Sequence, residues 1–186
     1  MTMLPPRLAR KHSPPGTDHW RGYEGDLDVE YAYKLMFGKS IADLQEHFGG
    51  MSSIQRADEL RFMPRRAFQY YVFAFAEFVV SDGAIGDDAS ASPFLNLLQS
   101  REQRDPGAVA EIYFDLAPYV DHVASNQELY DAPIHIYGSF PEQAEAIRAL
   151  CSSIKHRSPK RGNKQRRQLR SRRRLTRRRV SQDEFD

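Results

Sequence analysis

The sequence predicts an all-α protein: a compact single-domain helical bundle around one central buried helix, with unstructured ends. Three observations predict it. Met63–Val80 (MPRRAFQYYVFAFAEFVV) is a long aromatic and aliphatic run with no Gly or Pro between Pro64 and Gly83. Several shorter stretches carry helical spacing behind Ser or Asp start signals, and no set of alternating segments could build a sheet. The charge is also divided. Residues 1–154 hold 13 Lys+Arg against 22 Asp+Glu, a net −9, and residues 155–186 hold 14 against 3, a net +11. The expected organisation is an unstructured tail over 1–18, a helical domain over 19–154 and an Arg-rich unstructured tail over 155–186.

The central helix comes first because the others must pack on it. Phe68, Tyr71, Phe75 and Phe78 recur at three and four residues, and Tyr70, Phe73 and Val80 fill much of the opposite side. A helix apolar nearly all round is covered by neighbours on several sides. Pro64 suits the first helical position, where a missing N–H costs nothing. Arg65, Arg66, Gln69 and Glu77 interrupt the run, which also falls short of the ~20 apolar residues of a membrane span. The aromatic stripe therefore reads as core, in preference to a ligand-lining or base-stacking surface.

In chain order, the prolines and glycine of residues 1–18 leave little room for a helix. Asp26–Met36 fits a first helix with Leu27, Tyr31 and Leu35 on one face. FGKS at 37–40 superficially suggests a phosphate-binding loop, but the required first Gly falls on Tyr33 and no apolar strand precedes it. Ser40 with Asp43 is a helix start signal, as is Ser52 with Gln55, which opens a short helix to about Leu60. Ser81–Ser92 reads as a loop; its Asp82, Asp87 and Asp88 lack the alternation and closing Glu of a calcium loop. Pro93–Gln99 gives a short helix, and Asp105-Pro106-Gly107 a turn. Ala108–Asn126 reads as helical, broken at Pro118, with Val109, Ile112, Leu116, Val120 and Val123 as its stripe. Pro133–Tyr137 (PIHIY) reads as an extended connection. Ser139 leads into a last amphipathic helix with Ala144, Ile147, Leu150, Cys151 and Ile154 inward.

No chemistry signature stands out. One cysteine, Cys151, excludes an internal disulfide framework and a cysteine metal cluster and reads as a small buried apolar residue. His12, His19, His47, His122, His135 and His156 form no ligand pair. Asp121-His122 is a base with an orienting acid only if the fold supplies a nucleophile, and no G-x-S-x-G motif offers one. No cofactor is implied. The first residues carry no apolar stretch of the secretory type, so a cytoplasmic location is expected.

The basic end is the strongest functional signal. From Lys155 to Val180 there is no acidic residue. Arg166, Arg167, Arg170, Arg172, Arg173, Arg174, Arg177, Arg178 and Arg179 resemble the arginine-rich arms that grip phosphate backbones, since the planar guanidinium makes bidentate phosphate contacts. No aromatic is interleaved, which argues against base stacking. Three other readings stay open: a polyelectrolyte pairing with the acidic domain, a ribosome- or membrane-surface anchor, and a GC-rich frame read out of register.

The run Asp58–Phe78 (DELRFMPRRAFQYYVFAFAEF) resembles a family of small uncharacterised bacterial proteins whose hallmark is a D-A-L-x-F-L-T/S-P-E-A-F-R-Y-Y-L-P-A-F segment. Further pieces stand in the same order: PPGTDHW at Pro14–Trp20, the acidic helix at Asp26–Tyr33, FGKSIADL at Phe37–Leu44 and SFPEQAEAIRAL at Ser139–Leu150. The resemblance spans roughly Pro14 to Ser153 and leaves out the basic end. Met63 replaces the usual hydroxyl residue before the proline, and Arg65 the acidic residue after it. The resemblance implies a mostly helical bacterial cytoplasmic protein and no activity. Together with the acidic domain charge, it leads to the expectation of a non-enzymatic module that binds an unknown protein partner; the alternative is a nucleic-acid-associated protein using its Arg-rich end.

Overall fold

The computed structural model describes residues 13–157, with the backbone alone at 23 and 154–157. The chain divides into two units, Met1–Lys155 and His156–Asp186; of the second, only the backbone of residues 156 and 157 is described. Among the described residues the fold is all-α, with no strand. Seven α-helices follow one another: α1 Leu27–Met36, α2 Met51–Phe62, α3 Arg65–Val79, α4 Asp88–Arg104, α5 Tyr113–Ser125, α6 Ile134–Tyr137 and α7 Phe140–Arg157.

Helix α3 is the buried centre that its sequence demands. Phe68, Tyr71, Val72, Phe73, Phe75 and Ala76 are all within 1% of complete burial. The rings are packed edge-to-face and offset: Phe75 lies 4.9 Å from Phe48 and 5.5 Å from Phe94, and Phe73 lies 6.3 Å from Tyr119. Tyr71 buries its ring and donates its hydroxyl to the Met36 carbonyl at 2.7 Å, so the polar tip is satisfied. Pro64 sits at the cap, just outside the first helical residue. Arg65, unfavourable beside a helix N-terminus, is compensated from the α4–α5 turn. It pairs with the Asp105 carboxylate and donates to the Pro106 carbonyl at 3.1 Å, and this guanidinium holds the Asp105 carboxyl below its ordinary value.

The unstructured start expected over 1–18 gives way earlier. Pro15 is buried, Thr17–Trp20 forms a 3-10 turn, and Trp20 is fully buried, 5.3 Å from Tyr33 and 5.6 Å from Tyr71. This ring also corrects the face of α1. The expected face was Leu27, Tyr31 and Leu35, but the stripe that packs is Val29, Ala32 and Met36; Leu27 and Tyr31 are 84% and 55% exposed. Trp20 engages Tyr33 from one side, and small Ala32 admits close approach from the core. Tyr31 instead covers Arg56, whose guanidinium carbon is 5.7 Å from the ring centre. Asp26 caps α1, accepting from the backbone N–H groups of Asp28 and Val29 at 3.0 and 3.3 Å.

Ser40 and Asp43 make the expected reciprocal box, Ser40 N–H to Asp43 Oδ2 at 2.9 Å and Asp43 N–H to Ser40 Oγ at 3.2 Å, but it opens a 3-10 turn, Ala42–His47. The Ser52–Gln55 box is not what starts α2. Ser53 Oγ accepts from Gly49 N–H at 2.8 Å, and Asp87 Oδ2 accepts from Gly50 N–H at 2.8 Å.

The expected 81–92 loop is half helix. Asp88–Ser92 belong to α4 because Ser90, buried, hydrogen-bonds both Ser53 and Asp87 at 2.5 Å, and its small neighbours let α4 lie close on α2. Pro93 and Pro118 lie inside α4 and α5 without ending them. Each leaves one carbonyl of the preceding turn without its usual donor, a cost of about 3 kcal/mol. Fully buried Phe94, Leu95, Leu97 and Leu98 after the first, and Leu116 and Val120 around the second, offset it. Helix α5 starts only at Tyr113, and PIHIY is a helical turn, α6, with no extended connection.

A buried ion pair on α2 makes stability depend on pH. Arg56 Nη2 donates to Glu59 Oε1 at 2.6 Å, with both side chains under a tenth exposed. Arg56 Nε and Glu59 Oε2 find no hydrogen-bond partner among the described residues. Burial outweighs the attraction of Arg56 and pushes the Glu59 carboxyl up from 4.5 to about 7. Between those values the folded state keeps a proton that the unfolded chain has lost. The Glu59 contribution to stability therefore falls as pH rises through this window, by about 3 kcal/mol in all, and is flat above it. Denaturation across the window, wild type against an Arg56→Met/Glu59→Leu double variant, reads this directly. The double variant is expected to lose that component of the slope and to match or exceed wild type at neutral pH, whereas either single replacement costs about 3–5 kcal/mol. Equal slopes would clear Glu59 of the effect.

Candidate functional site

The candidate site is an open groove of about 1390 Å³ built by residues 124–141. Its walls are the last turn of α5, the 3-10 turn Gln127–Tyr130, α6 and the first residues of α7. Gln127 ties these pieces together. Its amide nitrogen donates to the carbonyls of Ala132 and Gly138 at 2.9 and 2.8 Å, and its amide oxygen accepts from Phe140 N–H at 2.9 Å. One side chain thus ties three segments together.

Four further contacts set the groove on the bundle. Tyr130, buried, donates its hydroxyl to the Val79 carbonyl at the end of α3, at 2.7 Å. Gly86 N–H donates to the Leu129 carbonyl at 2.8 Å. Tyr137 donates to the Asp88 carboxylate, and Gln143 Nε2 to the Tyr137 carbonyl at 2.7 Å. Asp131 adopts a left-handed backbone, φ 51°, which turns the chain from the 3-10 turn into α6; an Asp tolerates this better than a branched residue. Ser139 caps α7, its hydroxyl accepting from Glu142 N–H at 3.3 Å.

The surface presented is apolar with acid at its rim. Leu129 and Ile134 line the groove and are 40% and 66% exposed; Ile136, on α6, is 64% exposed. Glu128 and Asp131 are its carboxylates, and no Lys or Arg lines it. Asn126 and Leu129 also line a smaller crevice of about 280 Å³ with Ile85, Asp82, Ser81 and His122, so groove and crevice share a wall.

No family model, no curated protein and no solved structure matches the chain.

The crevice tests the idea of chemistry at His122. Burial lowers the His122 pKa, so the ring is neutral at neutral pH. Its sequence neighbour Asp121 points its carboxylate to Arg148, at 2.9 Å, and so is engaged by a cation. Ser81 donates its hydroxyl to the Phe78 carbonyl at 2.7 Å, which spends the proton a nucleophile would pass to a base. Cys151 is buried on α7, as expected of a packing residue. Asp87 and Asp88 are engaged by Ser90 and Tyr137. No described helix is long and apolar enough to cross a membrane.

The nine arginines singled out in the sequence, Arg166 to Arg179, lie outside the described residues. The groove was not visible in the sequence. Its one trace is the pair Ile134 and Ile136 in a turn-rich stretch, apolar residues with no helical or strand partner to cover them.

Proposed function

We propose that the chain is a non-enzymatic protein-interaction module of the bacterial cytoplasm, and that residues 124–141 form its partner-binding surface. The observation that carries this reading is the groove: exposed Leu129 and Ile134 on a frame held by the Gln127 amide. A concave surface lined by apolar side chains with a few polar groups is the usual form of a binding site. The pinned frame also reduces the ordering cost of binding. Helical content, the acidic domain and the resemblance of Asp58–Phe78 to small bacterial proteins accord with it.

The test is partner capture from a bacterial lysate by wild type and by Ile134→Asp, with circular dichroism to check that the fold is unchanged. A discrete partner kept by wild type and lost by Ile134→Asp is the expected result. The same partner kept by both would move the binding surface elsewhere, and a turnover activity abolished by replacing His122 would replace the reading altogether.

The charge division supports a second reading, in which the Arg-rich end binds phosphate backbones. Neutralising six phosphates would give a slope of about −5 in log K against log salt on duplex DNA. Replacing Arg166, Arg167, Arg170, Arg172, Arg173, Arg174, Arg177, Arg178 and Arg179 by Gln should flatten that slope and cut affinity at low salt at least tenfold. Unchanged affinity would remove the reading.

A further inference from the structure

We infer that the groove takes a cationic amphipathic segment of a partner protein, a stretch carrying Lys or Arg beside Leu-type side chains. The inference rests on the groove being a partner-binding surface and names the chemistry of the partner.

Several acids elsewhere on the domain pair with bases, among them Asp18 with Arg21, Glu30 with Lys34, Asp58 with Arg61, Asp105 with Arg65 and Arg101, and Asp121 and Glu145 with Arg148. Glu128 and Asp131 in the groove, and Asp82 in the adjoining crevice, have no Lys or Arg partner among the described residues. Neither cavity has a Lys or Arg in its lining. The neutral ring of His122 adds no positive charge to the shared wall. Unmatched carboxylates beside exposed Ile85, Leu129 and Ile134 ask for two things of an occupant: apolar side chains to cover the isoleucines and leucine, and cations to meet the rim. An anionic segment would meet like charge at three positions, which costs affinity and slows encounter. A second folded copy would bring another acidic domain, net −9 over residues 1–154, against the same rim.

The probe is a labelled Lys/Leu amphipathic helical peptide, with a scrambled peptide of equal charge and a Glu/Leu version as comparisons, titrated into the full chain by fluorescence anisotropy at low and high salt. The amphipathic Lys/Leu peptide is expected to bind at least tenfold more tightly than either comparison. Ile134→Ser should weaken it about tenfold, the effect of removing one apolar anchor. Glu128→Lys with Asp131→Lys should weaken it at low salt and flatten the salt dependence. Glu46→Lys, a surface acid outside the groove, should leave it within twofold.

Scrambled and amphipathic peptides binding alike, with Glu46→Lys as harmful as the groove pair, would overturn the inference in favour of diffuse attraction to an acidic surface. The Glu/Leu peptide binding best, and losing affinity in Ile134→Ser, would overturn the cationic partner while leaving the groove as a binding surface. Failure of every peptide, together with partner capture indifferent to Ile134→Asp, would overturn both. Concentration-dependent self-association lost in Ile134→Ser would assign the groove to a second copy and overturn the inference as well.

Discussion

Phe75→Ala is expected to lower the unfolding free energy by about 3–5 kcal/mol. The ring is completely buried at the middle of α3, between Phe48 and Phe94 at 4.9 and 5.5 Å. Truncation removes the transfer free energy of a phenyl group and leaves a cavity whose walls come from the 40s turn and α4. Those walls are themselves aromatic and tightly placed, so collapse into the void is limited and the cost lies at the upper part of the range. Tyr71→Ala should cost about as much, because it also removes one of the two donors to the buried Met36 carbonyl, the other being Lys39 N–H at 3.0 Å. Chemical denaturation of the variants measures both. A midpoint equal to wild type would show that α3 is not the centre of the core.

The second large effect is expected at Glu102. This carboxylate is 1% exposed on α4. Oε1 accepts from Gly107 N–H at 2.7 Å, and Oε2 accepts from Val109 and Ala110 N–H at 2.7 and 2.9 Å. Three backbone donors of the α4–α5 turn are thus satisfied by one side chain. Glu102→Ala would strand them among buried Ala108, Val109 and Ala110; a charge-assisted bond to a buried donor is worth about 1.5–3 kcal/mol. The loss should total about 3–5 kcal/mol, allowing for partial rearrangement, and Glu102→Gln, which keeps one acceptor, should cost about half as much. Amide exchange localises the effect: protection at 107–110 should collapse in Glu102→Ala before the rest of the bundle is affected. Uniform loss of protection would mean that Glu102 supports the whole domain and not this turn.

These two residues also mark how legible the fold was. Phe75 announced itself, because an aromatic stripe at three- and four-residue spacing has few places to go but the core. Glu102 did not: an isolated acid near a helix end looks solvated, and only the return of the chain at Gly107 makes it a ligand for three N–H groups. The same turn explains why α5 begins at Tyr113, five residues later than its apolar spacing suggested. In α1 the helical spacing turned Leu27, Tyr31 and Leu35 inward, whereas Val29, Ala32 and Met36 pack, because Trp20, outside the helical pattern, covers Tyr33. Ser90 turned a loop-like DASAS into helix through its contact with Ser53, a residue 37 positions away. The Ser40–Asp43 box was readable because capping is local, and the amphipathic α7 because its stripe is.

The groove was the least legible part for the same reason. It depends on Gln127, a residue type without a pattern, reaching across to residues 132, 138 and 140, and on Tyr130 reaching back to α3. Sequence reasoning looked instead to the Arg-rich end, where composition is loud. Without the fold it had no means of showing that Glu128 and Asp131 share a groove with exposed Leu129 and Ile134.

The most direct test places a photo-crosslinking amino acid at Ile134 in the full chain expressed in bacteria, with the same residue at Phe114 as control. Phe114 is 86% exposed on the first turn of α5, away from the groove at the other end of that helix. A discrete crosslinked protein adduct from Ile134 and none from Phe114 is expected. Adducts from both positions alike, or from Phe114 alone, would contradict the groove as the partner-binding surface.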